Sequence, residues 1–123
     1  KKGTPAAARR RGGHPAKRTF QAIRMEVNHE LEELSQGVTT SIDYLKPKGC
    51  GIVISYHSGE DRMVKGLFKN VATGGCRCPS KLPCVCGAVI KGKLPHSGLT
   101  ASKEEIKENR RAKSARLRVL ESV

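Results

Sequence analysis

Residues 50–62 read C-G-I-V-I-S-Y-H-S-G-E-D-R, and this stretch decides the fold class because an uninterrupted apolar run stops abruptly in a polar cluster. The run at residues 52–54 predicts a buried strand, and residues 63–68 carry apolar side chains at helical spacing. The polar residues between them therefore lie on a strand-to-helix turn. In open α/β sheets ligands bind beyond the carboxyl ends of strands, so this turn is the candidate site, with the polar side chains His57, Ser58, Glu60, Asp61 and Arg62.

The composition limits both the size and the partners of the protein. A chain of 123 residues with 37% hydrophobic residues, two Phe, two Tyr and no Trp forms one domain at most, with a modest core. The formal net charge of +13 makes nucleic acid the leading class of partner. No segment approaches the roughly 20 apolar residues that cross a bilayer, and the basic start lacks the apolar core of a signal peptide. We therefore expect a cytoplasmic protein that binds no membrane.

Positive charge is concentrated at the two ends of the chain. Residues 1–18 carry seven Lys or Arg and no acidic residue, and residues 107–118 are similarly basic. The Gly, Ala and Pro content of the first segment predicts a disordered basic arm over residues 1–17, which is compatible with RNA contact. The folded domain is expected at residues 18–123.

Hydrophobic spacing and capping residues predict a succession of helices and strands. A first helix, capped by Thr19 and ending at Gly37, places four apolar side chains on one face: Ile23, Val27, Leu31 and Leu34. The other predicted elements are, in chain order, a helix at 39–45, a strand at 51–55, a helix at 61–70, a strand at 88–90, a short helix capped by Ser102 and a strand at 115–119.

This order of elements predicts an α/β fold with about three strands and flanking helices. The last two strands lack a long intervening helix and should pair antiparallel, whereas the earlier strand-helix unit favours parallel neighbours. The predicted sheet is therefore mostly parallel with a closing hairpin. A strand as apolar as residues 52–54 normally has strands on both sides and helices on both faces, so the chain looks like the back half of a larger sheet. An open strand edge also admits a homodimer.

One face of the first predicted helix is polar. Its side chains follow one another at three- and four-residue steps, opposite the apolar face: Arg18, Gln21, Arg24 and Asn28. Charge patterning alone favours a solvated surface for such a stripe, and contact with a substrate is the alternative.

Four of the five cysteines form the motif C-x-C-P-x4-C-x-C within a Cys-rich insertion at residues 74–87. If the insertion is a hairpin, Cys78 lies opposite Cys84 and Cys76 opposite Cys86, with all four on one side. Four thiolates so gathered fit a tetrahedral Zn²⁺ site, although C-x-x-C is the more usual spacing. Reduced thiols and a disulfide are the alternatives, the disulfide being disfavoured in the cytoplasm. Cys50 is expected to be a small core residue.

Three long blocks of sequence follow one another in order. The first block is H-P-A-K-R-T-F-Q-A-I-R at residues 14–24, continued by Val27-Asn28 and Glu30-Leu31. The second is I-S-Y-H-S-G-E-D-R-M-V-K at residues 54–65. The third joins E-E-I at residues 104–106 to N-R-R-A-K-S-A-R-L-R at residues 109–118. Together they closely resemble the bacterial 16S ribosomal RNA cytosine-N(4) methyltransferase family, the RsmH or MraW type. Two positions depart from that family's usual pattern, with Gly59 in place of Leu and Arg110 in place of Pro.

The resemblance implies the carboxyl-terminal half of a Rossmann-like class I methyltransferase, which methylates the exocyclic amine of a cytidine in 16S rRNA. The family's S-adenosylmethionine site lies upstream of these residues, so we expect a missing amino-terminal half as partner and no activity from the chain alone. Methyl transfer to a base requires the nucleotide to be held in place. By resemblance, the residues expected to contact the RNA are Arg18, Gln21, Asn28, His57, Ser58, Arg62, Asn109, Arg111 and Arg116. No residue is assigned a catalytic role.

A second hypothesis is a small zinc-ribbon-like RNA-binding module. In such a module the Cys hairpin would be the centre of the fold, and the basic ends would grip phosphates without sequence preference. This hypothesis accounts for the charge and the cysteines but not for the three blocks. Unfolding by a chelator would favour it, whereas indifference to a chelator would favour the methyltransferase.

Overall fold

The computed structural model describes residues 16–79 and 82–123. The described chain divides after Glu33 into two compact units, the second of which is Leu34–Val123. All but the last two residues of the predicted arm at 1–17 lie outside the described residues. Within the described ranges no helix is long and apolar enough to span a bilayer.

Helix α1 spans Lys17–Val27, so Thr19 lies inside it rather than at its cap. The helix ends at Asn28, and His29 takes a left-handed backbone with a φ of 50°. The prediction of one uninterrupted helix across this point is therefore wrong, because the left-handed residue breaks the helical hydrogen-bond series.

Helix α2 spans Glu30–Asp43, which corrects both the predicted helix end at Gly37 and the separate helix at 39–45. Gly37 lies inside α2, where a Cβ would meet no atom within 4 Å. Val38 is buried, and three more side chains pack against the same core: Leu34, Ile42 and Leu45. This apolar face outweighs the roughly 1 kcal/mol that glycine costs a helix interior. Tertiary packing therefore carries the helix through Gly37.

Strand β1, Cys50–Ser55, and helix α3, Ser58–Thr73, form the centre of the second unit. Both confirm the predicted elements, although the helix extends further at each end than the predicted range of 61–70. The buried core gathers apolar side chains from α2, α3 and the last strand: Val38, Val64, Phe68 and Leu120. A core of this size agrees with the modest one predicted from composition.

A small antiparallel sheet completes this unit. Strands β2, Gly92–Lys93, and β3, Leu99–Thr100, precede helix α4, Lys103–Glu108, a 3₁₀ turn at Arg110–Ser114 and strand β4, Arg116–Ser122. β4 lies between β1 and β2, and it also pairs with β3. The last strands pair antiparallel as predicted, but β4 pairs with β2 and β3 instead of forming a hairpin with the predicted strand at 88–90. Mostly parallel pairing is wrong for the described residues, because β4 runs opposite to every strand that it joins.

The strand predicted at residues 88–90 is not formed, and β2 begins after it. The N–H of Lys91 donates to the carbonyl oxygen of Val71 at 3.2 Å. The backbone of Val89 lies against Gly74, where a Cβ would come within 2.5 Å of the Val89 carbonyl oxygen. The segment therefore follows the end of α3 instead of pairing with β4.

Within the described residues of the second unit, one edge of β1 has no neighbouring strand and one face is largely exposed. β1 pairs with β4 along its whole length, and the sheet order places no described strand on its other edge. On the face away from the core, Ile52 and Ile54 are 61% and 52% exposed. Leu99 and Leu117 line a cavity of about 260 Å³ with Ile54 there. Cys50 shares this face and is exposed, so its prediction as a core residue is wrong: no described element of the second unit covers that side.

Candidate substrate-binding site and cysteine cluster

His57 caps helix α3 at the carboxyl end of β1. Its Nδ1 accepts hydrogen bonds from the N–H groups of Gly59 and Glu60 at 3.2 and 3.3 Å. Oε2 of Glu60 accepts in return from the N–H groups of Tyr56 and His57 at 2.9 and 3.3 Å. The result is a capping box with an imidazole in the place of the usual hydroxyl.

The two ring nitrogens of His57 have different surroundings. Because Nδ1 accepts, this hydrogen-bond network assigns the proton of the neutral ring to Nε2. Nε2 lies 3.1 Å from Oε1 of Glu60 but lacks the alignment of a hydrogen bond, so among the described residues it is a buried nitrogen without a hydrogen-bond partner. One nitrogen of the imidazole therefore supports the helix, and the other is buried beside the Glu60 carboxylate without a hydrogen-bond partner.

Arg118 of β4 binds Asp61 in the first turn of α3. Nε lies 2.7 Å from Oδ1 and Nη2 3.0 Å from Oδ2, while Nη1 donates to the carbonyl oxygen of Ser97 at 2.6 Å. The hydrogen bond from the Arg118 guanidinium holds the pKa of Asp61 below its ordinary value, and partial burial, which raises the pKa, opposes it more weakly. The charges of Arg118, Arg116 and Lys65 also lower the pKa. The pair ties the central strand to the candidate turn.

Ser58, Arg62 and Arg116 lie at the same end of the sheet as His57. Ser58 begins α3, Arg62 follows one turn later, and both are exposed. The strand register places the exposed Arg116 opposite Ser55, the last residue of β1. These predicted site residues are thus brought together by one strand pair and one turn.

Asn109 lies between α4 and the 3₁₀ turn and supports both. Its N–H donates to the carbonyl oxygen of Glu105 at 2.7 Å, and its Oδ1 accepts from the N–H of Arg111 at 3.1 Å. The extended backbone of Asn109 ends α4 without the family's proline, whose place Arg110 takes. The side chain of Arg111 is exposed.

Arg18, Gln21 and Asn28 belong to the first unit, with Arg18 and Asn28 exposed. Nδ2 of Asn28 donates to Oε1 of Glu30 at 3.4 Å, and Nε of Arg24 lies 2.7 Å from the same oxygen. The predicted polar stripe therefore follows α1, and its last two members meet a carboxylate at the start of α2.

The four clustered cysteines converge although the predicted hairpin does not form. The described residues of the insertion contain no strand, and Ser80 and Lys81, at its predicted tip, lie outside them. All four sulfurs lie within 4.8 Å of one another. Sγ of Cys84 is 3.4, 3.9 and 3.3 Å from the sulfurs of Cys76, Cys78 and Cys86. All five cysteines of the chain are free, so none forms a disulfide.

Left-handed glycines bend the backbone at both ends of the cluster. Gly74, Gly75 and Gly87 have φ angles of 59°, 73° and 66°. Within the cluster, the N–H of Cys78 donates to Sγ of Cys76 at 3.4 Å. These bends, rather than a β ladder, bring the thiols together.

The thiols hold their protons unequally. Hydrogen bonds from the backbone N–H of Cys86 and then from the neighbouring thiols lower the pKa of Cys84 to about 7. The hydrogen bond to Cys84, followed by the one to Cys76, raises the pKa of Cys86 to about 12. Cys84 is therefore the member that loses its proton most readily near neutral pH.

For His57 and Glu60 the sequence leaves local bonding and helix capping open as the alternative to site contact, and the structure shows that bonding as a capping box. Another feature of the candidate site was not predicted from sequence. The pair of Asp61 and Arg118 joins residues 57 positions apart, and no local pattern signals it.

The whole chain, residues 1–123, matches the family model described as the MraW methylase family. Three similar curated proteins are each named ribosomal RNA small subunit methyltransferase H. The one from Pelobacter propionicus is 52% identical over 112 residues, which cover 89% of this chain and 36% of that protein. Those from Brevibacillus brevis and Heliobacterium mobile are 48% and 49% identical over 126 and 122 residues, covering 100% and 97% of this chain.

This chain covers 40% of the Brevibacillus brevis protein and 38% of the Heliobacterium mobile protein. It thus spans about two fifths of the length of the curated relatives that it matches. The family inferred from the three sequence blocks is confirmed by a match along the whole chain and by identities near one half. The chain belongs to the MraW methylase family.

Proposed function

We propose that the chain is the carboxyl-terminal, substrate-side part of an S-adenosylmethionine-dependent methyltransferase. Its substrate would be the exocyclic amine of a cytidine in 16S rRNA, and its site of action the cytoplasm. Membership of the MraW methylase family supports the class of enzyme, and the names of the relatives support ribosomal RNA of the small subunit as substrate. The observation that carries the proposal is that β1 has no described strand on its second edge, in a chain that spans about two fifths of the length of its relatives.

The surroundings of β1 are those of a strand taken from a larger sheet. In α/β proteins a strand with apolar side chains on both faces has helices on both. Val53 packs against the core, whereas Ile52 and Ile54 on the opposite face are exposed. We propose that a parallel strand of the amino-terminal portion joins the free edge and that its helices cover the exposed face. The whole domain would then have the Rossmann-like class I arrangement.

The described residues do not fit S-adenosylmethionine. A nucleoside-binding loop is rich in glycine and joins a strand to the start of a helix. The junctions from β1 to α3 and from β3 to α4 contain Tyr56-His57 and Ala101-Ser102 instead of glycines. Gly74 and Gly75 end α3 rather than opening a helix. We therefore propose the donor site in the amino-terminal portion of the complete enzyme and assign it no residue of this chain.

The end of the sheet where β1 meets α3 is the proposed RNA-binding surface. Arg62 and Arg116 are exposed there, and their guanidinium groups suit contacts with phosphates. The hydroxyl of Ser58 suits a hydrogen bond to a base or ribose, and the Nε2–H of His57 would make one after the neighbouring Glu60 carboxylate moves aside. Methyl transfer needs the cytidine held out of its stack with its amine in line with the donor. These side chains would supply that positioning.

Further RNA contacts are proposed on two other elements. Arg18, Gln21 and Asn28 present polar groups along α1, and Arg111 is exposed after α4. Asn109 already caps the 3₁₀ turn, so its role would be to hold Arg111 in place. All of these would bind or orient RNA, and none would take part in the chemical step.

The zinc-ribbon-like RNA-binding module is the weaker hypothesis. It requires the cysteines to be the centre of the fold. None of them is among the buried hydrophobic residues of the described chain, whose main cluster is formed by Val38, Val64, Phe68 and Leu120. A chelator should therefore leave the sheet folded.

Transfer of labelled methyl groups tests the proposal. A fusion protein is made by joining this chain to the Pelobacter propionicus relative. The part of that relative that does not match this chain is placed before the first residue of this chain. The fusion is incubated with labelled S-adenosylmethionine and with small ribosomal subunits from cells that lack the enzyme. We expect labelled N4-methylcytidine with the fusion, and none with the 123-residue chain or the added part alone. Methylation by the chain alone would contradict the proposed donor site, and a folded, donor-binding fusion that methylates no cytidine would contradict the proposed substrate.

A further inference from the structure

We infer that Cys76, Cys78, Cys84 and Cys86 form a binding site for one Zn²⁺ ion. The site lies in the segment between α3 and β2. It goes beyond the proposed function, because no part of the proposed methyl transfer uses these cysteines.

The spacing of the sulfurs matches a tetrahedral zinc thiolate. Zn–S bonds of about 2.3 Å in a regular tetrahedron separate the sulfurs by roughly 3.8 Å. Sγ of Cys84 lies 3.4, 3.9 and 3.3 Å from the other three, and all four lie within 4.8 Å of one another. A disulfide would bring two sulfurs to about 2.0 Å. The observed separations lie on either side of the tetrahedral value, so small shifts would place the four sulfurs around one ion.

Apolar packing does not hold this segment together. Leu82, between the two inner cysteines, is 65% exposed, and Val85, between Cys84 and Cys86, is 89% exposed. No described strand crosses the insertion. Ordering such a loop costs conformational entropy at every residue, and contacts between neutral thiols are weak. Metal-thiolate bonds offset that cost, as they do in small zinc-binding domains. Reduced thiols alone give no comparable reason for four sulfurs to converge.

The ligand set excludes hard cations and sets the role of the ion. Thiolates are soft ligands, and a tetrahedral set of four sulfurs favours Zn²⁺ over Mg²⁺ or Ca²⁺. Because the protein fills all four positions, no position is open for water or substrate, and the site is structural. The ion would fix the chain between Gly75 and Gly87, whose left-handed backbones already bend it around the cluster.

Metal content of the 123-residue chain tests the inference. The reduced protein is dialysed anaerobically against Zn²⁺ and desalted, and its zinc and iron are measured by mass spectrometry. We expect one zinc per chain in the wild type and its loss in Cys84→Ser. Cys50→Ser is the matched control and should keep its zinc, because Cys50 lies in β1 outside the cluster.

If Cys84→Ser does not fold, alkylation of the wild-type protein still tests the inference. With zinc bound, iodoacetamide should modify Cys50 and spare the cluster, whereas after chelation it should modify all five cysteines. Replacement of zinc by Co²⁺ should give the visible absorption of a tetrahedral cobalt thiolate. Alkylation of all five thiols regardless of zinc, or iron bound in place of zinc, would overturn the inference.

Discussion

Arg118 in β4 and Asp61 in α3 form a two-point ion pair, with Nε 2.7 Å from Oδ1 and Nη2 3.0 Å from Oδ2. The side chains are 14% and 21% exposed, so solvent screens the pair less than it screens a surface ion pair. The same guanidinium also donates to the carbonyl oxygen of Ser97, between β2 and β3. One arginine thus joins the central strand, the first turn of the site helix and an edge loop.

Asp61→Asn should lower the free energy of unfolding by roughly 1–3 kcal/mol at neutral pH, because it leaves Arg118 largely buried without its charged partner. In the folded protein Arg118 lowers the pKa of Asp61 from its ordinary value of 3.8. The stabilisation is therefore complete above the unfolded-state pKa of about 3.9 and is lost as the pH falls through the lower folded-state pKa. Urea unfolding as a function of pH measures the difference between the two proteins, which should shrink only on the acid side.

Asp43→Asn is the matched control for this experiment. Asp43 is the exposed last residue of α2, and its replacement should change the free energy of unfolding by less than about 0.5 kcal/mol. A stability difference for Asp61→Asn that stays the same down to the lowest pH would contradict an electrostatic role for the pair.

Replacing two glycines by alanine should have opposite effects on stability. Gly37→Ala should raise the free energy of unfolding by about 1 kcal/mol, because Gly37 is helical and its Cβ would meet open space. Gly74→Ala should lower it by roughly 1–2 kcal/mol or more, because a left-handed backbone disfavours alanine and the Cβ would lie 2.5 Å from the carbonyl oxygen of Val89. Urea denaturation compares both variants with the wild type. A stabilising Gly74→Ala would show that the end of α3 is misplaced.

Arg116→Ala should weaken binding of a single-stranded RNA oligonucleotide and reduce its dependence on salt. Loss of one phosphate contact should reduce the slope of log K against log salt concentration by about 0.7. Fluorescence anisotropy over a series of salt concentrations measures this slope. Lys46→Ala is the control, since it removes the same charge from the opposite end of β1 and should leave the slope unchanged. Equal effects of the two variants would indicate binding by net charge alone.

The local sequence pattern was sufficient to predict those elements whose own residues show strand or helix spacing or a helix cap. The apolar run before His57 predicted β1, helical spacing predicted α3, and Ser102 caps α4 through a 3.1 Å bond from the N–H of Glu105. The candidate turn was located for the same reason, because strand and helix signals meet there. Family blocks added the positions of Asn109 and Arg116, which no periodicity would single out.

Features set by distant contacts were not predictable in this way. Gly37 suggested a helix end, but the packing of Val38 carries α2 past it. β1 was expected beside parallel strands, whereas its described neighbour is β4, more than sixty residues later. The cysteines do converge, although glycine bends achieve what a hairpin was expected to do. For Gly37 and for β1, a tertiary contact outweighed the local preference.

Hydrogen exchange at β1 tests most directly whether this sheet is part of a larger one. In an antiparallel pair alternate N–H groups point away from the partner strand, so half of those in Cys50–Ser55 face the free edge.

In the 123-residue chain these edge amides should exchange fast, and in the fusion they should exchange as slowly as the amides that bond to β4. Three results would contradict the account. The first is slow exchange in the chain alone at every protein concentration, and the second is slow exchange that appears as the concentration rises and so reveals a second copy at the edge. The third is fast exchange in an active fusion.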